Sequence, residues 1–285
     1  MKAEFFAVFF LPTLLTDGQS IRLIIFERNC YKMEENLIFC FSGTGNSLKA
    51  AKDVAKSLGD TKIILMKEIY KLSGKYNRIG FIYPSYAGGA PKEVLQYVEK
   101  LEIKADMAEY FFTIVTCGGA ARNSLPMLRE ALFQKGISLN YGKELNTVGN
   151  YIAMYPPRTD IKETLKLADK EIEVYANEIK EKVIANINES KFKFKLFYKL
   201  GNQYFKMNAK KHNISNSCNS CGTCEKICPT KSIKIKNNKP EFTWKTCSQC
   251  MACIQWCPKA AVNCGNKTND RARYHHPDIK PDELV

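Results

Sequence analysis

The chain has 285 residues, of which 45% are hydrophobic, so it is long enough for two domains and apolar enough to bury a core. Its net charge of +14 permits contact with nucleic acid, anionic lipid or an acidic protein, but the sequence contains no nucleic-acid-binding motif. No apolar run reaches the roughly 18–20 residues that span a bilayer, and most of the twelve cysteines lie in CxxC runs, which indicates metal ligation in the reducing cytoplasm rather than disulfides.

Residues 1–32 contain an apolar stretch, AEFFAVFFLPTLL, which follows a single lysine and precedes no small-residue cleavage site. Met33 then stands directly before EENLIFCF, which begins a strand as a natural N-terminus would. We therefore expect residues 1–32 to be an N-terminal extension outside the fold, produced by an early start assignment. The alternatives are a packed extra hairpin, in which IRLIIF forms a strand, and a targeting segment.

Short apolar runs alternate with amphipathic helical patterns from residue 36 to about residue 185. The runs predict strands at 37–41, 61–66, 78–84, 110–116 and within 138–155. The amphipathic patterns predict helices at 49–58, 91–101, 124–136 and 160–187. This alternation is typical of a parallel sheet covered on both faces. We therefore predict an α/β domain over residues 33–189 with a doubly wound, three-layer architecture and five strands.

The loop after the first predicted strand, SGTGNS, is rich in hydroxyl groups and glycine. Ser42, Thr44 and Ser47 offer hydroxyls, and the next helix presents the positive end of its dipole. Gly43 and Gly45 let backbone amides converge on one anion. Such a loop can bind a terminal phosphate without a lysine. It matches neither GxxxxGK[ST] nor GxGxxG, which disfavours ATP and NAD.

SGTGNS resembles the FMN-phosphate loop of the flavodoxins, whose fold has the same five alternating units. The resemblance implies that FMN lies beyond strands 1 and 3, flanked by PSYAGGAP (84–91) and TCGGAARNS (116–124). Tyr86 is then the expected stacking ring; because the second loop has no aromatic residue, Tyr151 or Tyr155 is the candidate for the other flavin face. The expected FMN-binding residues are Ser42, Gly43, Thr44, Gly45, Asn46, Ser47, Ser85, Tyr86, Ala87, Gly88, Gly89, Thr116, Cys117, Gly118 and Gly119. The alternative is a flavodoxin-like domain that binds FMN weakly or not at all.

Residues 190–215 are expected to form a basic, aromatic linker, because they hold seven lysines, six aromatic residues and no acid. Two interpretations stay open: a linker helix that packs its aromatic residues between domains, and a helix that contacts a membrane surface. Residues 266–285 are polar and contain proline, which predicts a mobile tail. His212 lies in the linker and His275 and His276 in the tail, where we expect solvated side chains.

Residues 218–229 and 247–258 both follow the pattern C-x2-C-x2-C-x3-C-P. Zinc needs neither the third closely spaced cysteine nor the proline, whereas a [4Fe–4S] cluster takes one thiolate at each of its four corners. A tight loop presents three cysteines to one cluster, and the fourth lies too far along the chain and ligates the other cluster. The predicted ligands are Cys218, Cys221, Cys224 and Cys257 for cluster 1, and Cys228, Cys247, Cys250 and Cys253 for cluster 2.

Residues 216–265 resemble the bacterial two-cluster ferredoxin module, a small α+β domain, and all eight ligands are present. Pro229 and Pro258 turn the chain away after each motif. Between the motifs, SIKIKNNKPEF predicts a small hairpin. Apolar side chains are expected to exclude water from the clusters, namely Ile227, Ile233, Ile254 and Trp256. Zinc ribbons or free thiols are the alternative.

The two parts together resemble the EFR-type flavodoxin–ferredoxin fusion family of anaerobic bacteria and archaea, over residues 36–264. The resemblance implies electron transfer between an FMN site and two [4Fe–4S] clusters and onward to a redox partner. Seven lysines against two acids within 216–265 predict a partner with an acidic docking surface. The alternatives are a flavin-dependent oxidoreductase that acts on a small substrate, and a redox- or oxygen-sensing iron–sulfur protein with an empty flavodoxin-like domain. The sequence contains no Ser/His/Asp or paired-carboxylate arrangement, and the question whether the protein is an enzyme stays open.

Overall fold

Five parallel strands form the central sheet of the computed structural model, which describes residues 36–187, 189 and 191–285. In chain order they are β1 (Asn36–Cys40), β2 (Thr61–Leu65), β3 (Tyr76–Pro84), β4 (Ala108–Cys117) and β5 (Tyr141–Asn146). They lie side by side in the order β2-β1-β3-β4-β5, which is the flavodoxin-like doubly wound order. The expected N-terminal extension, residues 1–32, lies outside the described residues.

Four helices cover the two faces of the sheet. They are α1 (Asn46–Leu58), α2 (Lys92–Lys100), α3 (Ser124–Phe133) and α4 (Ile161–Lys180). α1 and α4 share one apolar core with the sheet, and α2 and α3 share the other. The predicted three-layer α/β architecture is therefore confirmed, and the weakly marked strand within 138–155 is β5.

Alternate residues of β1 serve the two cores. Leu37 and Phe39 pack with α2 and α3, whereas Ile38 and Cys40 pack with α1 and α4. None of the four side chains is exposed to solvent. A strand with helices on both faces must be apolar throughout, which explains the unbroken apolar run that marks this strand in the sequence.

A buried arginine joins the sheet to the end of α4. Arg78 in β3 is 8% exposed, and its guanidinium donates hydrogen bonds to the carbonyl oxygens of Ile179 (3.0 Å) and Lys180 (2.5 Å). It also donates to Asn36 Oδ1 at 3.2 Å. Because the last carbonyls of a helix have no partner within the helix, Arg78 supplies a donor to Lys180 and a second donor to Ile179, whose carbonyl oxygen also accepts from the N–H of Lys182 at 3.1 Å.

The predicted linker contains the helix α5 (Phe192–Ala209), which leads into the cysteine-rich region. That region holds two antiparallel strand pairs: β6 (His212–Ile214) with β9 (Val262–Cys264), and β7 (Ile233–Lys236) with β8 (Lys239–Phe242). The second pair is the predicted hairpin. The third cysteine of each motif lies in a four-residue helix, α6 (Thr223–Lys226) or α7 (Ala252–Gln255). None of the helices in the described residues is long and apolar enough to cross a membrane.

The two cysteine segments share an unusual backbone conformation as well as a motif. Three pairs of residues, 29 positions apart in the sequence, have a positive φ angle: Ser220 and Gln249, Gly222 and Met251, Lys231 and Ala260. Left-handed backbone is unfavourable for residues other than glycine. Its recurrence at equivalent positions shows that the sequence repeat is also a structural repeat.

The prediction of a mobile C-terminal tail is wrong. Tyr274, Ile279 and Leu284 are buried, and the tail packs beside the start of α1. The N–H of His276 donates to the carbonyl oxygen of Thr44 at 2.8 Å. The sequence indicates a mobile tail here because the apolar side chains stand singly between polar residues and so produce no apolar run.

The expectation of solvated histidines holds for His275 alone, and even this exposed ring stacks on Trp256 with centroids 4.0 Å apart. His276 is buried. The ring of His212 packs on Phe242 with centroids 5.2 Å apart. Burial lowers the pKa of both His212 and His276, which favours the neutral form of each ring.

Candidate functional site

A cavity of about 620 Å³ lies among the loops that follow β1, β3, β4 and β5. Its volume is in the range of small-molecule sites. All the residues expected to bind FMN line it except Gly45 and Gly89. Gly45 instead precedes α1 with a φ of 98°, and Gly89 closes a turn with Tyr86.

The loop between β1 and α1 offers neutral hydrogen-bonding groups to the cavity. The left-handed backbone of Gly45 turns the chain into α1, and no side chain caps the N-terminus of that helix. Ser42 Oγ accepts a hydrogen bond from the Gly45 N–H at 3.2 Å. Ser47 Oγ lies 2.8 Å from Thr116 Oγ1, which joins this loop to the end of β4. Uncapped amides and hydroxyls at the start of a helix suit an anion.

The loop after β3 is a tight turn that presents Tyr86 to the cavity. Tyr86 and Gly89 exchange backbone hydrogen bonds of 2.9 and 3.0 Å, and Ala87 and Gly88 between them have positive φ angles. The Tyr86 ring packs edge-on against Phe41 with centroids 6.2 Å apart. Burial raises the pKa of Tyr86 well above its ordinary value, so it presents an uncharged phenol.

The loop after β5 also contributes to the cavity, which the sequence reasoning covered only in part. Tyr151 and Tyr155, the candidates for a second aromatic wall, both line it. Four residues of the preceding NTVGNY stretch were missed: Thr147, Val148, Gly149 and Asn150. The signal was available, since polar residues and glycine follow β5 much as SGTGNS follows β1, but the strand itself was only weakly marked.

Helix α5 forms an apolar wall that the sequence reasoning did not anticipate. Its contribution consists of Phe197, Leu200, Gly201, Tyr204 and Phe205. Arg122, also missed, is the one charged residue in the described lining, and its guanidinium lies 4.5 Å from the centroid of the Phe197 ring. Three aromatic residues of the predicted linker, Phe197, Tyr204 and Phe205, therefore close this side of the cavity.

Two smaller cavities are each lined by four cysteines. One set is Cys218, Cys221, Cys224 and Cys257, and the other is Cys228, Cys247, Cys250 and Cys253. The structure thus brings together the same two sets that the motif spacing predicts. None of the eight forms a disulfide. In the positions that the described side chains take, no three Cys, His, Asp or Glu residues could hold a single metal ion.

Backbone amides point at sulfur in the same way in both halves. The N–H of Ser232 donates to Cys228 Sγ, and the N–H of Ala261 donates to Cys257 Sγ, each at 3.2 Å. Burial raises the pKa of Cys250 to about 12, because the thiolate is desolvated there. Metal ions bind thiolates, so a metal bound here would displace the proton of such a thiol. The amide hydrogen bonds to Cys228 and Cys257 would stabilise negative charge on those two sulfurs.

The four side chains expected to shield the cysteines from water are all buried. They are Ile227, Ile233, Ile254 and Trp256. Ile233 lines one cysteine cavity directly. Trp256 turns towards the flavodoxin-like domain instead, where its indole Nε1 donates to the carbonyl oxygen of Gly43 at 3.0 Å.

The large cavity and one cysteine cavity share a wall. A Cβ atom placed on Gly43 would lie 2.7 Å from the carbonyl oxygen of Cys250 and 3.1 Å from its Cβ. Gln249 lines both cavities. The hydroxyl of Tyr151 donates to Gln249 Oε1 at 3.0 Å, which fixes the side chain between them. The cysteine cavity of Cys250 is therefore the one that adjoins the large cavity.

No family model matches this chain, and no curated protein matches it. Among solved structures, it resembles an FMN-dependent NADH-azoreductase from Bacillus anthracis in complex with FMN, with 14% identity, a TM-score of 0.37 and coverage of 52% of this chain and 99% of that one. Rubredoxin oxygen:oxidoreductase from Desulfovibrio gigas has 16% identity and a TM-score of 0.32, and the match covers 51% of this chain and 37% of that one. A flavoprotein in complex with FMN from Lactobacillus acidophilus has 10% identity and a TM-score of 0.31, and the match covers 39% of this chain and 93% of that one.

These likenesses are too distant to carry an argument about function. The strand order of the sheet defines the fold, and the residues that line the cavity define the site.

Proposed function

We propose that this protein transfers electrons between an FMN site and two [4Fe–4S] clusters and onward to a redox partner. The wall shared by the large cavity and one cysteine cavity carries the proposal, since Cys250 abuts Gly43 and Gln249 lines both. Sites in contact within one chain meet at a high effective concentration, without diffusion. The combination also resembles the EFR-type flavodoxin–ferredoxin fusion family.

The large cavity fits FMN in its donor groups. The uncapped N-terminus of α1 and the hydroxyls of Ser42 and Thr44 would hold the phosphate. Tyr86 and Tyr155 would provide aromatic surface for the flavin ring. Bound FMN would supply two-electron chemistry that can also proceed one electron at a time. The chain's own part is to bind and orient the flavin and to exclude water through α5.

The cysteine cavities fit two cubane clusters in number and type of ligand. Each has four thiols, three from one motif and one from the other, as in the bacterial two-cluster ferredoxins. Amide hydrogen bonds reach Cys228 and Cys257, the two cysteines that cross between the halves. Each cluster carries one electron, so two clusters match the two electrons of one flavin.

The structure favours an order for the two clusters. Cluster 2, which includes Cys250, adjoins the FMN cavity. Cluster 1 includes Cys221, which is exposed. We therefore expect electrons to pass between FMN and cluster 2 and to leave or enter the protein at cluster 1. The lysines around the cysteine repeat would attract a redox partner with an acidic docking surface.

Anaerobic purification followed by quantification of iron, sulfide and flavin tests the proposal. We expect about eight iron and about eight sulfide per chain, together with one FMN. Photoreduction should then reduce the flavin and both clusters in the same molecule. Colourless protein loaded with zinc would overturn the proposal. Iron and sulfide without flavin would favour the alternative of a redox or oxygen sensor.

A flavin-dependent oxidoreductase acting on a small substrate is the second candidate. The observation in its favour is the apolar wall of α5, which extends the cavity beyond the loops expected to bind FMN. Steady-state turnover with artificial electron donors and a panel of small acceptors separates the two functions. Saturable reduction of a small molecule by protein whose cluster 1 has been removed would favour the oxidoreductase.

A further inference from the structure

Helix α5 has an inner face that is fixed to the rest of the protein. A Cβ atom on Gly201 would lie 2.5 Å from the Cβ of Ala87, so the helix and the loop after β3 approach as closely as glycine allows. The hydroxyl of Tyr198 donates to the carbonyl oxygen of Ala90 at 2.8 Å. The ring of Phe205 packs on Tyr151 with centroids 4.6 Å apart. The helix is therefore docked along its length on this face.

The outer face of α5 carries large apolar side chains that nothing in the described residues covers. Phe192 is 82% exposed, Leu196 50% and Met207 59%. At about 100° per residue, these positions fall within about 60° of one another around the helix axis. They lie in a stripe along one side of nearly the whole helix, with the exposed polar Gln203 between Leu196 and Met207 in the same arc, whereas single exposed apolar residues would be scattered.

Lysines flank this stripe, and acidic residues are absent from it. Lys195, Lys199 and Lys206 lie on one side, and all three are exposed. None of them takes part in an ion pair among the described residues. The sequence has no Asp or Glu between Glu189 and Glu225. The outer face is thus both apolar and uniformly positive.

We propose that the outer face of α5 binds the surface of an anionic lipid bilayer, with the helix axis in the plane of the membrane. A docked helix with an apolar stripe and lysine flanks is the arrangement that inserts shallowly among lipid head groups. Lysine stems reach from the stripe to phosphate groups. An acidic protein would satisfy the charges, but it would need an apolar groove about as long as α5 to cover Phe192, Leu196 and Met207. A bilayer accepts all of them without a matching shape.

The inference does not depend on the proposed cofactors, because it rests on one helix face. The two tests are therefore distinguishable: lipid binding is measured by sedimentation, whereas the proposed function is measured by cofactor content and reduction.

Co-sedimentation of the full chain with vesicles tests the proposal. We expect binding to phosphatidylcholine vesicles that contain phosphatidylglycerol, weaker binding to phosphatidylcholine alone, and release by salt. The double variants K195E/K199E and F192E/L196E should each lower the partition coefficient for anionic vesicles by about tenfold or more. These four residues are exposed and do not line the cavity, so the fold should be kept, which circular dichroism verifies.

Matched variants on α4 provide the control. K166E/K170E makes the same charge change at exposed lysines, and L167E/V174E makes the same apolar change at residues that are 56% and 54% exposed. These variants should bind vesicles like the parent protein.

Three outcomes would overturn the proposal: no binding to anionic vesicles, equal binding to neutral ones, or binding that the α5 variants leave unchanged. The last result would assign lipid binding to another part of the chain, such as the apolar stretch within residues 1–32. If the α5 variants instead abolish capture by an acidic redox protein and no vesicle binding is seen, the face is a protein-docking surface.

Discussion

At the scale of single residues, the contact between Gly43 and Cys250 has the largest consequences. It brings the loop expected to hold the FMN phosphate against a cysteine of the adjacent motif, at a distance that only glycine permits. The neighbouring hydrogen bond from Trp256 to the carbonyl oxygen of Gly43 holds the same backbone in place. One side chain added here therefore disturbs two sites at once.

We predict that Gly43→Ala lowers stability by about 1–3 kcal/mol, because the added methyl group overlaps the backbone of Cys250 and cannot be accommodated by a rotamer change. Chemical unfolding of the anaerobically purified protein measures the loss. Gly119→Ala is the control for stability, since a Cβ there meets nothing within 4 Å. Equal unfolding midpoints for the two variants would show that the wall between the cavities is looser than the structure indicates.

The cysteines that cross between the halves support a second prediction at this scale. Cys228→Ala should remove the cluster beside the FMN cavity, and Cys257→Ala the exposed cluster. Iron content should fall from about eight to about four per chain in each variant. Photoreduction of the flavin should still reach the remaining cluster in Cys257→Ala, but not in Cys228→Ala. Electron paramagnetic resonance of the reduced proteins distinguishes the two, and identical spectra would contradict the crosswise sets.

At the scale of helices and strands, Arg78 shows how one side chain completes an element far away in the sequence. Its guanidinium provides donors for the end of α4 from within β3. We predict that Arg78→Leu destabilises the protein by about 2–4 kcal/mol, because the carbonyl oxygen of Lys180 and the side-chain oxygen of Asn36 lose their partner and the carbonyl oxygen of Ile179 loses one of two donors. Urea unfolding measures this. Arg78→Lys should recover part of the loss, and a fully stable Arg78→Leu would contradict the argument.

The C-terminal tail acts as an element in its own right, because it supports the loop before α1. The hydroxyl of Tyr274 donates to Asn46 Oδ1 at 2.6 Å, and Asn46 lines the large cavity. We predict that Tyr274→Phe weakens FMN binding by about two- to tenfold through a less well-oriented Asn46. Fluorescence titration of flavin-depleted protein measures the dissociation constant.

Tyr175→Phe is the matched control for this variant. It also removes a hydroxyl that makes hydrogen bonds, to Glu171 and to the carbonyl oxygen of Glu144, but Tyr175 does not line the cavity. A larger loss of FMN affinity in Tyr175→Phe than in Tyr274→Phe would contradict the prediction that the tail supports FMN binding through Asn46.

The elements that the sequence predicts best are those with one environment along their whole length. β1 is buried on both faces and reads as an unbroken apolar run. β5, with the sequence YGKELN, is partly exposed and mixes charged and apolar residues, so the polar loop after it was overlooked. α5 was recognised as basic and aromatic, but aromatic residues lie on both of its faces. Periodicity therefore could not tell which side faces the cavity.

The grouping of the cysteines into two sets of four, each lining one cavity, could be predicted for a different reason. Their spacing limits which sulfurs can meet, whatever the rest of the chain does. The contact of Cys250 with Gly43 could not be predicted, because it depends on how the repeat docks against the domain that precedes it in the sequence. Neither segment carries a local signal of that docking.

At the scale of the whole molecule, the excess of positive charge is the dominant feature. We predict that electron exchange with an acidic redox partner slows several-fold as the ionic strength rises from about 0.01 M to about 0.5 M, because screening shortens the range of the attraction. Stopped-flow kinetics at several salt concentrations measures the rate. Exchange with a small neutral acceptor is the control and should change little. A rate to the acidic partner that is independent of salt would reject electrostatic steering.

Each set of four cysteines takes members from both motifs, so neither set is complete until part of the second motif has been synthesised. With the proposed ligands, the cluster beside the FMN cavity cannot be completed before Cys253 has been made, and the exposed one not before Cys257. The loop expected to bind phosphate is synthesised early, but its contacts with Tyr274 and His276 form only after those two residues have been made. A chain released before Cys253 is made therefore lacks a complete cysteine set for either proposed cluster, and it also lacks the tail residues that contact the loop before α1.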